Sequence, residues 1–336
     1  MAESDLPLVS IVIPSFNAAK HIEATLLSAL NQSYPNIEIF VVDDGSADDT
    51  LAIAGKYVSE RVSLISQKND GACRARNNGL NRSKGKYIQF LDADDLLSSD
   101  KIAEQVRELE MYPDHLAVCT TVHFRDGVDP FTVPIPDEAH FLYNTEDIPE
   151  FLARLWGADG LPWMVQTSAW LTPVSLIKEA GEWDETILLD QDGEFFTRVM
   201  LAGKGIRLCN GVNYYRKFVY GSNVASKAHK PENLRSKLRA LDLKSSYVLK
   251  REDNPRLRRA IASQYMQVAV EAYPVFPELF SEAWRKCKAQ GQPPVIPVLG
   301  GKAIETIKRL LGWKSAKWFS FQIHKHTAFL LRSSCK

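Results

Sequence analysis

The chain has 336 residues, 45% of them apolar, and its 41 Lys and Arg balance 41 Asp and Glu. It is therefore longer than one typical domain and has the make-up of an ordinary globular protein. No run of 18 or more apolar residues is present, which excludes a membrane-spanning helix, and the start (residues 1–7) lacks the basic and apolar stretches of a signal peptide. The charge is uneven. Residues 1–200 carry 15 Lys and Arg against 33 Asp and Glu, or −18, while residues 201–336 carry 26 against 8, or +18. An acidic first part suits metal binding and a basic second part suits an anionic partner, or the two attract each other. Five scattered cysteines (Cys73, Cys119, Cys209, Cys287, Cys335) form no Cys-x-x-Cys pair, which fits reduced thiols in a cytosolic setting.

Residues 8–14 are a β-branched run ending in Pro14 and read as a buried first strand. Ile22, Leu26, Ala29 and Leu30 then recur at helical spacing. Residues 37–42 form a second strand running into Asp43-Asp44-Gly45-Ser46, where Ser46 and Asp49 resemble a capping box. A strand at 62–65, a helix at 71–80 and a strand at 87–91 follow. This alternation with short connections means parallel strands with right-handed crossovers and helices on both faces. Neither a Gly-x-Gly-x-x-Gly nor a Walker-type loop follows the first strand.

The fourth strand stops abruptly in Asp92, Asp94 and Asp95. Unpaired buried charge is costly, and hard divalent ions favour one or two carboxylates plus diphosphate oxygens. Ligands of open α/β sheets sit beyond the carboxyl ends of the strands. Asp92-Ala93-Asp94 is thus a candidate metal and nucleotide-diphosphate site, the alternative being an Asp-rich turn that caps the next helix through Ser98 or Ser99. A helix at about 100–111, a strand at 117–124, an irregular stretch at 126–144 and a strand at 166–171 come next. A helix then starts near Pro173 as its N1 residue, and another runs from about 190 to 203. From 231 onward the pattern is helical and basic, punctuated by Pro255, Pro274 and Pro277.

Five segments in this order resemble the family 2 glycosyltransferases, inverting enzymes with a GT-A fold. They are residues 9–17 (VSIVIPSFN), 41–46 (VVDDGS), 71–79 (GACRARNNG), 90–95 (FLDADD) and 191–195 (QDGEF). The resemblance covers roughly residues 8–218 and implies a GT-A, Rossmann-like, mostly parallel α/β sheet over residues 1–225, with a helical basic region at 226–336. It implies that Pro14, Ser15, Phe16 and Asn17 line the nucleotide pocket and that Asp43, with Asp44 beside it, accepts hydrogen bonds from a uracil or similar base. Arg76 would lie near the nucleotide, Asp92 near the ribose, and Asp94 would be the main protein ligand to Mn²⁺ or Mg²⁺. Asp192 would be the general base. Trp163 is the one candidate for stacking on a sugar, and Arg216 for contact with the diphosphate. The chain departs from the family pattern at Gln191, where Glu is frequent, and after Tyr215-Arg216, where His is frequent. It also lacks the Gln-x-x-Arg-Trp of processive synthases, which favours single-sugar transfer.

The partners so implied are a nucleotide-sugar, a UDP-sugar first, and a saccharide or lipid-linked acceptor, with no nucleic acid. The rival readings are a sugar nucleotidyltransferase and a non-catalytic carbohydrate-binding module. In the basic tail, Ile304, Ile307, Leu310 and Leu311 share a helical face, with Lys314, Lys317, Trp318 and Phe319 close by. Such a helix suits an anionic membrane surface, peripheral to the cytoplasmic face, or docks on the domain.

Overall fold

The computed structural model describes residues 6–218 and 230–333, so Cys335 and the expected domain boundary at 225/226 lie outside the described residues. The chain divides into two compact units, Met1–Phe151 with Met164–Asn223, and Leu152–Trp163 with Val224–Lys336.

In chain order the elements begin with β1 (Val9–Ser15), α1 (Ile22–Leu30), β2 (Ile37–Asp43), α2 (Thr50–Gly55), β3 (Val62–Ser66), α3 (Ala72–Leu80) and β4 (Tyr87–Phe90). There follow β5 (Leu96–Leu97), α4 (Lys101–Met111), β6 (His115–Arg125), α5 (Ile148–Leu155), β7 (Trp170–Pro173), α6 (Val174–Ala180), α7 (Gln191–Ala202) and β8 (Gly205–Lys217). The eight strands make one sheet in the order β3-β2-β1-β4-β7-β6-β8-β5.

β1, β2, β3 and β4 pair with one another in parallel, in keeping with their continuous apolar runs. Their core is lined by Val9, Ile11, Ile13, Ile39 and Val41. The register sets Ser15 opposite Asp43 and Val12 opposite Phe90, so the carboxyl ends of β1, β2 and β4 lie along one edge. The other half is mixed. β7 runs antiparallel to both β4 and β6, β6 and β8 are parallel, and β5 is antiparallel to β8.

Several expected boundaries move. α2 starts at Thr50 with Asp49 as an N-cap that makes no side-chain bond, because Ser46 Oγ instead accepts the Asn17 N–H at 2.9 Å. Asp100 takes the N-cap position of α4 without a side-chain capping bond, while Ser98 Oγ accepts the Val212 N–H of β8 at 2.9 Å. Pro173 precedes α6 as its N-cap, and residues 167–169 form a 3₁₀ turn before β7.

The second unit is helical: α8 (Pro231–Arg251), α9 (Pro255–Ala272), α10 (Pro277–Ala289) and α11 (Lys302–Ser333). The first three each begin with proline at N1, where a missing N–H costs nothing. Trp313 packs among Tyr273, Phe280 and Trp284. Gly312, at φ 79°, kinks α11 and breaks the single apolar face expected there: Ile304 is buried, whereas Leu310 and Leu311 are 76% and 63% exposed. No helix among the described residues is long and apolar enough to cross a membrane.

Candidate functional site

The site lies along the carboxyl edge of β1, β2 and β4. Its first wall is a pair of loops stitched to each other. The Asn17 N–H donates to Ser46 Oγ, and Asn17 Oδ1 in turn accepts the Ala47 N–H at 2.9 Å. The Ala18 N–H donates to Thr50 Oγ1 at 2.7 Å and the Ala19 N–H to Asp48 Oδ2 at 3.1 Å. Asn17 itself takes a left-handed φ of 50°, a conformation Asn tolerates. Ser15 is buried, Pro14 half-buried, and Phe16 is half exposed.

Asp43 and Asp44 are both buried, yet they do different things. Asp44 is engaged on both oxygens: it accepts from Gln67 Nε2 at 2.8 Å and from the N–H groups of Asp70 and Gly71 at 2.9 Å each, and so shapes the 67–71 loop. Asp43 Oδ2 accepts the Ser46 N–H at 3.2 Å, while Oδ1 is buried with no partner among the described residues. A buried acceptor left unpaired is costly, so Oδ1 is open to a donor from a ligand. Gly45 makes the intervening turn at φ 75°, and a Cβ there would sit 2.9 Å from the Asn69 nitrogen.

Beyond β4 the acids are sorted by their surroundings. Asp92 pairs with Arg76 at 2.8 Å. Asp95 is completely buried: it accepts from Ser168 Oγ at 2.8 Å and from the Arg216 N–H at 3.3 Å, and burial followed by the Asp92 and Asp94 charges holds its carboxyl well above the usual range. Asp94 is pushed up to about 6, by burial first and the Asp92 charge second. Arg216 stands beside it, but its Nε donates to the Asp94 carbonyl at 3.1 Å and its Nη1 to Asp126 at 2.8 Å. The edge therefore carries more negative charge than its nearest cations neutralise. Among the described residues no three His, Cys, Asp or Glu side chains gather as a metal cage. The donor set fits a hard cation held by Asp94 together with a ligand's own oxygens.

α7 brings the last carboxyl. Asp190 precedes it in a left-handed conformation (φ 63°), and Asp192 in the first turn is half-buried. Burial, then the Asp190 charge, raises the Asp192 carboxyl; Arg76 and Asp92 also act on it electrostatically, in opposite senses. Arg76 is the hub of this arrangement. It is 6% exposed, lies 4.5 Å above the Trp183 ring and approaches Gln191 Oε1 at 3.4 Å. Trp183 is held by two hydrogen bonds between its backbone and the Asn77 amide, and it stacks on Phe195 of α7 at 4.0 Å.

The structure thus brings Asp92, Asp94, Arg76, Asp192 and Arg216 into mutual influence, with Pro14–Asn17 and Asp43 on the same edge. Trp163, 47% exposed, belongs to the second unit. Sequence reasoning missed Ser168, which ties Asp95 to the Asp92 N–H, and Tyr215, whose hydroxyl is raised to about 12 by burial and then by Asp95, Asp92, Asp94 and Asp192. Neither carries a local signal: Ser168 stands in the 3₁₀ turn before β7 and Tyr215 on β8.

The family model "Glycosyl transferase family 2" matches residues 10–170. The chain is similar to the UDP-Glc:alpha-D-GlcNAc-diphosphoundecaprenol beta-1,3-glucosyltransferase WfaP of Escherichia coli, 45% identical over 108 residues, or 31% of this chain and 42% of that protein. It is likewise similar to the putative teichuronic acid biosynthesis glycosyltransferase TuaG of Bacillus subtilis (strain 168), 44% identical over 103 residues, 30% of this chain and 41% of that one. These matches span well under half of either relative. Among solved structures, S. aureus TarS 1-349 in complex with UDP-GlcNAc aligns with a TM-score of 0.58 at 17% identity, covering 85% of this chain and 92% of that one. At that identity the likeness is one of fold.

Proposed function

We propose that the chain, whose residues 10–170 match the Glycosyl transferase family 2 model, is a member of that family with a GT-A fold and transfers one sugar from a UDP-sugar to an acceptor hydroxyl, inverting the anomeric carbon. The observation that carries this reading is the pair of raised carboxyls, Asp94 beyond β4 and Asp192 on α7, both under the field of Asp92. One suits a cation and the other a proton.

In this reading the Pro14–Asn17 loop and the open Oδ1 of Asp43 receive the base, the latter accepting an N–H from the uracil. Arg76 and Arg216 flank the diphosphate. Asp94 would hold Mn²⁺ or Mg²⁺, and when bound such an ion stabilises the charge that builds on the departing diphosphate. Asp192 takes the proton of the acceptor hydroxyl as it attacks from the face opposite the diphosphate, which inverts the centre. Both carboxyls are held toward the neutral form by burial, so ligand binding and transfer improve as pH rises through their raised midpoints.

A UDP-sugar donor is favoured by the open acceptor on Asp43 and by TarS having been crystallised with UDP-GlcNAc. A saccharide or lipid-linked acceptor is favoured by the name of WfaP, which places its acceptor sugar on diphosphoundecaprenol. The test is thermal: UDP with Mn²⁺ raises the melting temperature, UDP alone raises it less, and Asp94→Ala removes the difference. A chain indifferent to UDP, GDP and dTDP with Mn²⁺ would sink the proposal. Asp192→Asn keeps UDP binding and slows transfer by about 10²- to 10⁴-fold, the usual worth of a general base; unchanged turnover would dismiss it as base.

Membrane attachment is part of the same proposal. α11 carries seven Lys and Arg against one Glu, and Leu310, Leu311, Trp318, Phe319 and Ile323 are 40 to 76% exposed. Apolar and aromatic side chains among cations suit an anionic lipid surface. The full chain floats with phosphatidylglycerol vesicles and not with phosphatidylcholine ones; equal flotation, or none, speaks against it.

A further inference from the structure

Gln191 opens α7, immediately before the carboxyl assigned as base, and its side chain turns to α3. Its Oε1 is in contact with the Cys73 thiol and accepts a hydrogen bond from Arg76 Nη1 at 3.4 Å. Two donors converging on one atom fix which end of the amide faces α3. Cys73 and Arg76 are three residues apart on one helix and so present a common face. Arg76 is held in turn by Asp92 at 2.8 Å and by the Trp183 ring. The tie therefore runs from the strand-end acids, through Arg76, to the residue beside Asp192. On the other side the chain bends through Asp190 in its left-handed conformation, which Asp adopts more readily than most non-glycine residues.

We propose that Gln191 is a positioning residue: its neutral amide fastens the start of α7, and with it Asp192, to Cys73 and Arg76 without setting another carboxylate beside the base. A Glu at this position would accept the same two bonds. It would also add a negative charge next to Asp190 and Asp192 and compete with Asp92 for Arg76. The charged groups acting on Asp192 are Asp190 on its own element, Arg76 from α3 and Asp92 from beyond β4. Cys73 and Tyr215 also lie within its field, but burial raises both to about 12, so they stay neutral through the working range. Arg76, already paired with Asp92, is the cation that opposes protonation of Asp192, and the neutral amide adds no second carboxylate to compete for it.

The proposal rests on Asp192 as base for its consequence but is measured without any sugar transfer. In full-length protein carrying carbon-13 at the aspartate carboxyls, Asp192→Asn identifies the Asp192 resonance, and a pH titration gives its midpoint. Gln191→Glu is expected to raise the proton affinity of Asp192 about tenfold, the size of one pKa unit from a nearby like charge. Cys73→Ala is expected to displace the Asp192 resonance at constant pH, and Cys73→Ser, which keeps a donor, to restore it. A titration of Gln191→Glu superimposable on wild type, or a Cys73→Ala resonance that does not move, overturns the proposal. Either failure leaves the transferase reading standing, since that is judged by UDP binding and turnover.

Discussion

Two buried cations, some way apart along the chain, show what the carboxyl edge does that the rest of the sheet does not. Arg76 on α3 is almost fully buried, meets the Asp92 carboxylate at 2.8 Å and lies over Trp183. Burial works most strongly against its charge, but the Asp92 charge and hydrogen bond, together with Cys73 and Asp192, outweigh it, so it is held charged. Lys101, the first residue of α4, is completely buried and meets no carboxylate among the described residues. Its ammonium donates to Gln89 Oε1 at 2.5 Å and Gln105 Oε1 at 2.6 Å. Burial lowers it to about 8. The difference teaches that buried charge is kept where it meets a surplus of acid, and is close to being given up where only amides receive it. Charge at the edge is available to a ligand; charge behind it serves packing.

The comparison breaks first at Arg76. Removing one partner of a buried ion pair strands the other. Asp92 keeps some solvent, its side chain being 30% exposed, so the loss falls toward the lower end of the usual range. Arg76→Met is expected to lower unfolding stability by about 2 to 3 kcal/mol and to weaken UDP binding. Arg76→Lys keeps the charge but not the fork that reaches Asp92 and Gln191 together, so it recovers stability more than binding. Urea unfolding and calorimetry measure the two separately. A Met variant as stable as wild type would show that Asp92 does not depend on this partner.

The β1–β4 half of the sheet was legible because parallel buried strands announce themselves as unbroken β-branched and aromatic runs, and because acids at a strand end have few bland explanations. In the other half β6 and β7 were read as strands, but β5 and β8 were not. β8 contains Asn210-Gly211, with Gly211 at φ 95°, and its register on β6 shifts between Cys119 and Thr120. No simple alternation survives such an irregularity. The roles of the acids divided the same way. Asp44 reads like Asp43 in the sequence, yet its acceptors are consumed by a loop 23 to 27 residues further on. Asp95 reads like Asp94, yet Ser168 and the Arg216 N–H close around it. Which carboxylate stays open depends on partners distant in sequence, and no local pattern encodes that. Trp163 and Trp183 show the converse: the exposed ring drew the functional reading, while the buried one carries Arg76.

The smallest effect expected is at Lys101, and its pH dependence is what identifies it. A lysine whose folded midpoint is near 8, against about 10.4 when unfolded, binds fewer protons folded than unfolded between those values. Stability therefore rises with pH across that window, by about 1 kcal/mol per pH unit near its middle. Below pH 8 both states are protonated and the full cost of burying the ammonium is felt. Lys101→Met removes the titrating group, though it leaves the Gln89 and Gln105 carbonyl oxygens short of a donor. Its absolute stability at neutral pH thus mixes a gain with a loss, and only the slope is clean. Urea midpoints at pH 8, 9 and 10 should show wild type gaining on the variant at each step. Parallel curves would mean that Lys101 keeps its charge as firmly as Arg76 does, and the distinction between edge and interior would then rest on hydrogen bonding alone.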